Sequence, residues 1–231
     1  MTDGDRKGRA AAEARAKSTR LVCFAVKEEA VFFRPWASSR ADVQLLITGM
    51  GRKNSEEAFL RALAVAIPRL VLTCGFAGGL DPNLKCGDVV WETDDSAGLQ
   101  LALARSGVRA GRFHSVDSVA VTAASKRDLR RQTGADGVEM ESGAIRAIAR
   151  EKGIPSATLR VILDTAGEDL PLDFNRLMTP DMRMDPVKLG LSLARSPGKI
   201  PGLIRFGRQT QMASRALARA LERVLAQNEP L

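Results

Sequence analysis

The stretch LVLTCGFAGG at residues 70–79 begins as a continuous apolar run and ends in a cluster of glycines. An apolar run without polar alternation is typical of a central strand that helices cover on both faces. The glycines that follow allow backbone N–H groups to approach a ligand closely, although a tight turn alone would also explain them. The segment contains neither GxGxxG nor the GxxxxGK[ST] of a P-loop, so it predicts a ligand-approaching turn after a buried strand without specifying the ligand.

Short strands and helices alternate on either side of this run. The patterns predict further strands at 21–26, 43–48, 89–91, 116–121, 138–140 and 157–163. They also predict a helix start at Lys27 and helices at 54–66, with Ser55 as N-cap, 141–152, 187–194 and 211–226. This alternation predicts an α/β fold for residues 20–231, a single-domain three-layer α/β/α sandwich with a mixed central sheet. Residues 1–19 are polar and rich in Ala, Arg and Lys, so they are predicted to be a flexible basic leader.

The composition is that of a globular protein with a sizeable core, since 45% of the 231 residues are apolar and 27% are charged. No apolar stretch approaches the roughly 18 residues of a membrane span, and the first twenty residues have no signal-peptide core. The three cysteines form no CxxC pair and are interpreted as reduced thiols, which predicts a cytoplasmic protein. Because His114 is the single histidine, neither a metal site nor a Ser/His triad is expected.

The formal net charge of +8 lies mainly near the ends of the chain. Such charge forms a solvated surface or attracts nucleic acid or anionic membranes. Nucleic acid is disfavoured as a partner, because aromatic residues make up only 4% of the chain and Tyr is absent. Between residues 189 and 208, apolar side chains such as Ile200 and Ile204 are interleaved with Arg195, Lys199, Arg205 and Arg208. This segment is either a surface for peripheral membrane contact or ordinary packing of two terminal helices.

Charged residues occur where predicted strands end, which is where ligands of open α/β sheets bind. They are Glu29 in the Lys27-Glu28-Glu29 run, Glu139 and Glu141 in Val138-Glu139-Met140-Glu141, and Arg160 and Asp164 on the last strand. Partly buried carboxyls are candidates for acid and base catalysis, because burial raises their pKa toward neutrality. The structural alternatives are a favourable helix-dipole interaction for Glu29, helix capping by Glu141, and an ion pair between Arg160 and Asp164.

Several of these segments together resemble one known family. Residues 138–141 and 160–164 resemble the V-E-M-E and R-A-I-S-D signatures of 5′-methylthioadenosine/S-adenosylhomocysteine nucleosidases, members of the nucleoside phosphorylase and nucleosidase superfamily. Residues 75–80, 85–90 and 25–29 resemble that family's G-S-A-G-G-L, K-V-G-D-I-V and A-M-E-E-E segments, in the same order. Beyond Asp164, the tail at Arg195-Ser196-Pro197 and Arg205-Phe206-Gly207-Arg208 is similar to that of the hopanoid-associated phosphorylase branch.

The resemblance implies a phosphorylase/hydrolase-like fold and an enzyme that cleaves the N-glycosidic bond of a 5′-substituted adenosine, of the adenosylhopane or of the methylthioadenosine/S-adenosylhomocysteine type. Glu29 would orient or deprotonate the nucleophile, Arg160 would fix the nucleophile side, and Asp164 would protonate the purine at N7. Glu141 would accept hydrogen bonds from the ribose. The remaining substrate-binding positions implied are Phe76, Ala77, Gly78, Val119, Glu139 and Met140. The resemblance also implies a homodimer and a small-molecule purine nucleoside as partner, with no resident cofactor.

Two departures from the family leave alternatives open. Phe76 replaces a serine beside the nucleophile, so a nucleoside-binding protein without turnover is a second reading. Val119 replaces an aromatic residue that would stack on the purine, which predicts base recognition by backbone groups. Water is the favoured nucleophile because Glu29 would repel phosphate. Phosphate as co-substrate stays open, however, because Arg52 follows a glycine turn that is suited to binding it.

Overall fold

The computed structural model describes residues 19–94 and 97–226. Apart from Thr19, the predicted basic leader lies outside the described residues. The strands are β1 Arg20–Phe24, β2 Val43–Ile47, β3 Leu70–Gly79, β4 Val89–Thr93, β5 Arg109–Ala110, β6 Phe113–Ser115, β7 Gly137–Glu139 and β8 Ser156–Asp164. The helices are α1 Lys27–Ala30, α2 Arg34–Ser38, α3 Arg52–Val65, α4 Ala97–Arg105, α5 Ala123–Thr133, α6 Ser142–Glu151, α7 Phe174–Leu177, α8 Pro186–Arg195 and α9 Ile200–Ala226.

These strands form one mixed sheet in the order β2-β1-β3-β8-β4-β5. Strands β1, β2, β3 and β8 run parallel, whereas β4 pairs antiparallel with β8. Strand β7 pairs antiparallel with the last two residues of β3, and β6 pairs with β7. The predicted mixed sheet is therefore confirmed, and its longest strands, β3 and β8, lie side by side at its centre.

Helices cover both faces of this sheet, as the apolar run at residues 70–74 predicted. Val22 and Phe24 of β1 belong to one core cluster, which they share with Leu217 and Leu221 of α9. Leu21 and Cys23, pointing the other way, pack with Phe59 of α3 and Ile145 of α6 in a second cluster. Successive side chains of a strand alternate between its faces, so this division produces the three layers. The three-layer α/β/α sandwich is confirmed.

The structure corrects several local predictions. Gly75–Gly79 are not a turn after the strand, because β3 continues through all of them. Residues 116–121 are not a strand; the strand in this region is β6, which ends at Ser115. Ser55 is not the N-cap of α3, since that helix begins at Arg52 after Gly51 and the Ser55 hydroxyl donates to the Arg52 carbonyl.

The chain after β8 forms a cover over one end of the sheet. It contains α7, α8, a short 3₁₀ turn at Pro197–Lys199, and α9. Helix α9 is much longer than the predicted 211–226 because Pro201 sits in its first turn, where a missing N–H costs no hydrogen bond. Among the described residues, no helix is long and apolar enough to cross a membrane.

Candidate active site

The predicted site residues meet where β1, β3, β7 and β8 come together. Parallel register places Gly75 beside Arg160 and Gly78 beside Asp164, with a bulge between Ala77 and Gly78. Antiparallel pairing of Gly78 with Val138 brings β7, and with it Glu139 and Glu141, to the same end of β3. Segments that are far apart in the chain therefore contribute to one place.

Glu29 is held by backbone amides from two neighbouring strands. Its Oε2 accepts hydrogen bonds from the amides of Ala25 (2.9 Å) and Val26 (3.1 Å), which follow β1. Its Oε1 accepts from the amide of Phe76 in β3 at 2.8 Å. The bond to Val26 joins Glu29 to the residue before α1. A favourable interaction of Glu29 with the start of this helix is therefore compatible with its place in the site.

Burial raises the pKa of Glu29 to about 7. The neighbouring Glu141 adds to the rise, while Arg160 and the amide hydrogen bonds of Phe76 and Val26 act against it. A carboxyl with a pKa near neutrality exchanges a proton readily at physiological pH. Glu29 therefore has the ionisation behaviour of a general base.

Gly75 provides the space in which Glu29 and Arg160 approach the strand. A Cβ at this position would lie 2.4 Å from Glu29 Oε1 and 2.6 Å from Arg160 Nη1, and φ is +147°. No side chain fits within those distances, and L-residues rarely adopt that φ. The first glycine of the cluster thus serves the packing of charged side chains rather than a chain reversal.

Arg160 is fully buried and joins the carboxylates of the site. Its Nη2 donates to Glu139 Oε2 at 2.6 Å and to Glu141 Oε2 at 3.2 Å, and its Nη1 donates to the Phe76 carbonyl at 3.4 Å. Burial acts to lower the pKa of Arg160, but Glu139, Glu141 and Glu29 outweigh it and raise the pKa above its usual value. The guanidinium therefore stays charged, pairs with Glu139 and Glu141, and is also attracted by the nearby Glu29.

Glu139 and Glu141 differ in the number of groups that stabilise their charge. Glu139 also accepts from the amides of Glu141 (2.9 Å) and Ser142 (2.7 Å) at the start of α6, and from the Ser115 hydroxyl. Burial acts to raise the pKa of Glu139, but Arg160, Ser115 and these amides bring it below its usual value. These donors thus favour the ionised form of Glu139.

Glu141 accepts fewer hydrogen bonds than Glu139 from the described residues. Its Oε1 accepts from the amide of Gly51 at 2.8 Å, and burial, aided by Glu139, raises its pKa despite the opposing effect of Arg160. It occupies the N-cap position of α6 but makes no side-chain capping bond, so the capping alternative is wrong. The charge on Glu141 is the less stabilised of the two and is available to interact with a ligand.

Asp164, at the end of β8, pairs with a lysine that the sequence interpretation did not single out. Lys126 of α5 is completely buried, and its ammonium contacts Asp164 Oδ2. It also donates to the carbonyls of Thr165 (2.9 Å) and Glu168 (2.6 Å). Burial raises the pKa of Asp164, with Lys126 acting in the opposite direction. The alternative ion pair between Arg160 and Asp164 is wrong, since each of them has other partners.

A cavity of about 380 Å³ opens above these groups. Its sheet side carries the predicted residues Glu29, Phe76, Ala77, Gly78, Glu139, Met140, Glu141 and Asp164, together with Val119 from the segment after β6. Its opposite side is apolar and comes from the cover: Leu170, Phe174, Met178, Met184 and Phe206. The cavity thus combines a small set of convergent polar groups with a large apolar wall, as ligand sites do.

Two predicted positions are arranged differently from expectation. The amide of Val119 donates to Asn175 Oδ1 at 2.8 Å, and its carbonyl accepts from Asn175 Nδ2 at 3.0 Å. The backbone groups expected to recognise a base are therefore engaged by a side-chain amide. Arg52 is absent from the cavity lining; its side chain is 61% exposed and lies 3.8 Å from Asp117. In the described part of the chain, no cluster of three His, Cys, Asp or Glu side chains is arranged to hold a metal ion.

Comparisons with known proteins agree with this geometry. Residues 95–193 match the family model described as the phosphorylase superfamily. A 5′-methylthioadenosine/S-adenosylhomocysteine nucleosidase of Anoxybacillus flavithermus is 24% identical over 172 residues, which cover 60% of this chain and 74% of the relative.

Solved structures share the fold over most of its length. The futalosine hydrolase of Helicobacter pylori aligns with a TM-score of 0.68 at 15% identity, covering 91% of this chain and 98% of that one. The 5′-methylthioadenosine/S-adenosylhomocysteine nucleosidase of Neisseria meningitidis, in complex with methylthio-immucillin-A, aligns with a TM-score of 0.65 at 19% identity, covering 90% and 98%. The phosphorylase superfamily model thus matches one segment of this chain, the sequence relative is a nucleosidase, and the solved structures share the fold.

Proposed function

We propose that this protein is an enzyme that cleaves the N-glycosidic bond of a 5′-substituted adenosine and releases adenine. The proposal rests on two buried carboxyls that line the same cavity. The pKa of Glu29 lies at about 7, and the pKa of Asp164 is raised above its usual value. Ribosyl transfer needs anionic stabilisation at the sugar and an acid at the base, because the transition state resembles an oxocarbenium ion.

In the proposed reaction, Glu29 takes a proton from water as that water attacks C1′. The bond from C1′ to N9 breaks, and Asp164 transfers its proton to N7, so that the base leaves as neutral adenine. Glu141 accepts hydrogen bonds from the ribose hydroxyls and faces the developing positive charge, while Met140 lies along the sugar. Because Arg160 is buried under three carboxylates, its role is to hold them in place rather than to contact the substrate.

Water is the proposed nucleophile. Three carboxylates surround the nucleophile side, and the guanidinium among them is already paired with Glu139 and Glu141. An incoming phosphate dianion would be repelled by these carboxylates. Arg52, the phosphate ligand that the sequence left open, does not line the cavity.

Product analysis with and without phosphate tests the reaction directly. Incubation with 5′-methylthioadenosine should release adenine and the free ribose product at the same rate in both buffers. A ribose 1-phosphate product formed only with phosphate would establish phosphorolysis instead. Binding of the nucleoside without release of adenine, seen for instance by calorimetry, would support the alternative of a nucleoside-binding protein in which Phe76 blocks the nucleophile.

The apolar side of the cavity favours a substrate with a large apolar 5′ substituent. The sequence after Asp164, which resembles the hopanoid-associated branch, suggests a substituent of the adenosylhopane type. Five apolar side chains of the cover face the cavity, and Phe174 and Phe206 lie with ring centroids 5.5 Å apart. Removing this much apolar surface from water favours hydrophobic ligands. A series of adenosines with 5′-alkylthio chains of increasing length tests this: kcat/KM should rise with length, and a steady fall would contradict it.

We further propose peripheral contact of the cover with an anionic membrane surface. Helix α8 has no buried residue, and the side chains of Val187 (68%), Leu191 (51%) and Ile204 (55%) are well exposed. Residues 186–208 contain Lys188, Arg195, Lys199, Arg205 and Arg208 but no acidic residue. Apolar side chains beside cations suit a headgroup boundary, where each cation contributes about 1 kcal/mol.

Liposome co-sedimentation separates membrane contact from ordinary packing. Wild type should sediment with vesicles of anionic lipid but not with vesicles of neutral lipid, and Arg205→Glu/Arg208→Glu should lose this binding. Arg127→Glu/Arg131→Glu on α5 is the matched control, because it changes the net charge equally outside the cover. Equal, negligible binding by all three proteins would exclude the membrane contact.

A homodimer, implied by the resemblance, is tested by light scattering.

A further inference from the structure

Lys126 is a positively charged residue whose side chain is completely buried. It lies on α5, where Arg127 and Arg131 are exposed and Arg130 is half-buried, yet its own side chain has no exposed surface. A buried ammonium is costly unless it is paired and fully hydrogen-bonded. Lys126 meets that condition through Asp164 Oδ2 and the carbonyls of Thr165 and Glu168. All three partners belong to β8 or to the loop that follows it.

The placement of the pair orients the Asp164 carboxyl. A Cβ on Gly78 would lie 3.5 Å from Asp164 Oδ2 and 3.8 Å from Lys126 Cε, so both groups lie directly beside this glycine of β3. Oδ2 is buried, makes no hydrogen bond to the described residues, and lies in ion-pair contact with the ammonium. Asp164 itself lines the cavity. The carboxyl is therefore held at one oxygen by a fixed cation, on a residue that faces the ligand.

We infer that Lys126 is a positioning residue for proton donation by Asp164, holding the carboxyl in its donating orientation and stabilising the carboxylate that the transfer leaves behind. This inference rests on the proposed function. When the proton moves from Asp164 to N7 and the C1′–N9 bond breaks, Asp164 becomes an anion inside an apolar cavity. The Lys126 ammonium then faces a full negative charge at Oδ2, and no proton need leave the lysine. The ion pair is thus strongest after the transfer, which favours the product side of the step.

Three ionisable groups interact with Asp164 in the described part of the chain, and two of them shift its pKa in opposite directions. Lys126 on α5 lowers the pKa of Asp164, whereas Glu168 in the following loop raises it. The third is Cys86, before β4, whose own pKa is raised to about 11 by burial and then by Glu168 and Asp164, so it is a neutral thiol near pH 7. Variants of the first two groups should therefore move the titration of Asp164 in opposite directions.

Carbon-13 NMR of aspartate-labelled protein measures that titration without turnover, with Asp164→Asn identifying the resonance. We expect Lys126→Met to raise the Asp164 midpoint by about one pH unit or more, and Glu168→Gln to lower it by less. Lys126→Arg should stay near wild type. An unchanged midpoint in folded Lys126→Met would overturn the inference, since a lysine that only braces the loop would leave the carboxyl unaffected.

Turnover of 5′-methylthioadenosine at the pH optimum provides the second readout. Lys126→Met should lower kcat about tenfold or more with little change in KM, and Lys126→Arg should recover most of the loss. If Lys126→Met does not fold, Lys126→Gln and the arginine variant decide the question. If the wild-type protein releases no adenine at all, the proposed function fails, while the NMR titration still reports whether Lys126 controls Asp164. Unchanged kcat in folded Lys126→Met and Lys126→Gln would contradict the inference.

Discussion

The two sides of the cavity are built in opposite ways. The sheet side holds buried carboxylates that are fixed by backbone amides and by Arg160, each on or next to a strand of the central sheet. The cover side consists of apolar side chains on α7, α9 and the segments between β8 and α8, several of them only partly buried. The proposed function places the reaction chemistry on the sheet side and the choice of the 5′ substituent on the cover side. Changes on the sheet side should affect kcat, and changes on the cover side should affect KM.

The largest effect is expected at Asp164. Asp164→Asn removes the proton destined for N7 and should lower kcat at least about a hundredfold, the scale of a lost general acid. Steady-state release of adenine measures the loss, and circular dichroism should show an intact fold. Near-wild-type kcat in the folded variant would remove Asp164 from the mechanism.

Glu141→Gln tests the charge that faces the sugar. The amide can still interact with Gly51 and the ribose, but it cannot stabilise a developing cation, so kcat should fall about a hundredfold. Measurement of kcat together with the thermal unfolding midpoint separates the two readings. A change confined to stability would mean that Glu141 serves only the structure.

Gly75→Ala asks how tightly the sheet side is packed. Because the new Cβ would overlap Glu29 and Arg160 at a φ of +147°, we expect about 1–3 kcal/mol of lost stability and a severalfold drop in kcat. Gly167→Ala, where no atom lies within 4 Å of the added Cβ, is the control and should be close to neutral. Denaturant unfolding and adenine release are the measurements. Equal stability and equal kcat in both variants would show that the strand accommodates the added methyl group without loss.

The pH profile tests Glu29 as the base. Since the base must be ionised and the pKa of Glu29 lies at about 7, activity should be present above that pH and lost as pH falls through it. The loss should approach about tenfold per pH unit. Glu29→Gln should give a low rate without this acidic limb. Persistence of the limb in that variant would assign it to another carboxyl, and Glu141 is the first candidate.

The smallest effect is expected on the cover side. Phe206→Ala removes one ring of the apolar wall and should raise KM for a long 5′-alkylthio adenosine up to about tenfold, with kcat almost unchanged. For 5′-methylthioadenosine the change should be smaller. Met212→Ala, at a half-exposed position of α9 outside the cavity lining, is the control. A fall in kcat for Phe206→Ala would contradict the prediction that changes on the cover side affect only KM.

Most of the sheet could be predicted from sequence, because apolar runs such as residues 70–74 and 157–163 stand out from their surroundings. The glycine cluster misled the prediction, since glycine is common in turns and nothing local indicates that Gly75 makes room for Glu29 and Arg160. Residues 116–121 are rich in valine, which favours strands, but they do not extend β6. Local patterns do not contain the pairing partners that decide such cases.

The site was predicted in part for a similar reason. Carboxylates at strand ends are visible in the sequence, so Glu29, Glu141 and Asp164 could be proposed as a group. Lys126 could not, because it lies in a run rich in Arg and Lys that is typical of a solvated helix face. The one signal is its position three residues before Leu129, which packs toward the core and marks the buried face of α5. Its partners lie about forty residues away in sequence and meet it only in the folded chain.

Strand β8 is buried along all nine of its residues between two hydrogen-bonded neighbours. Amide protons in such a strand exchange with solvent only when the whole molecule opens, whereas those of short exposed helices exchange through local fraying. The groups on β8, Arg160 and Asp164, therefore belong to the slowest-exchanging part of the protein, and α8 of the cover belongs to a faster one. Local opening of the cover would therefore leave Arg160 and Asp164 in register on β8.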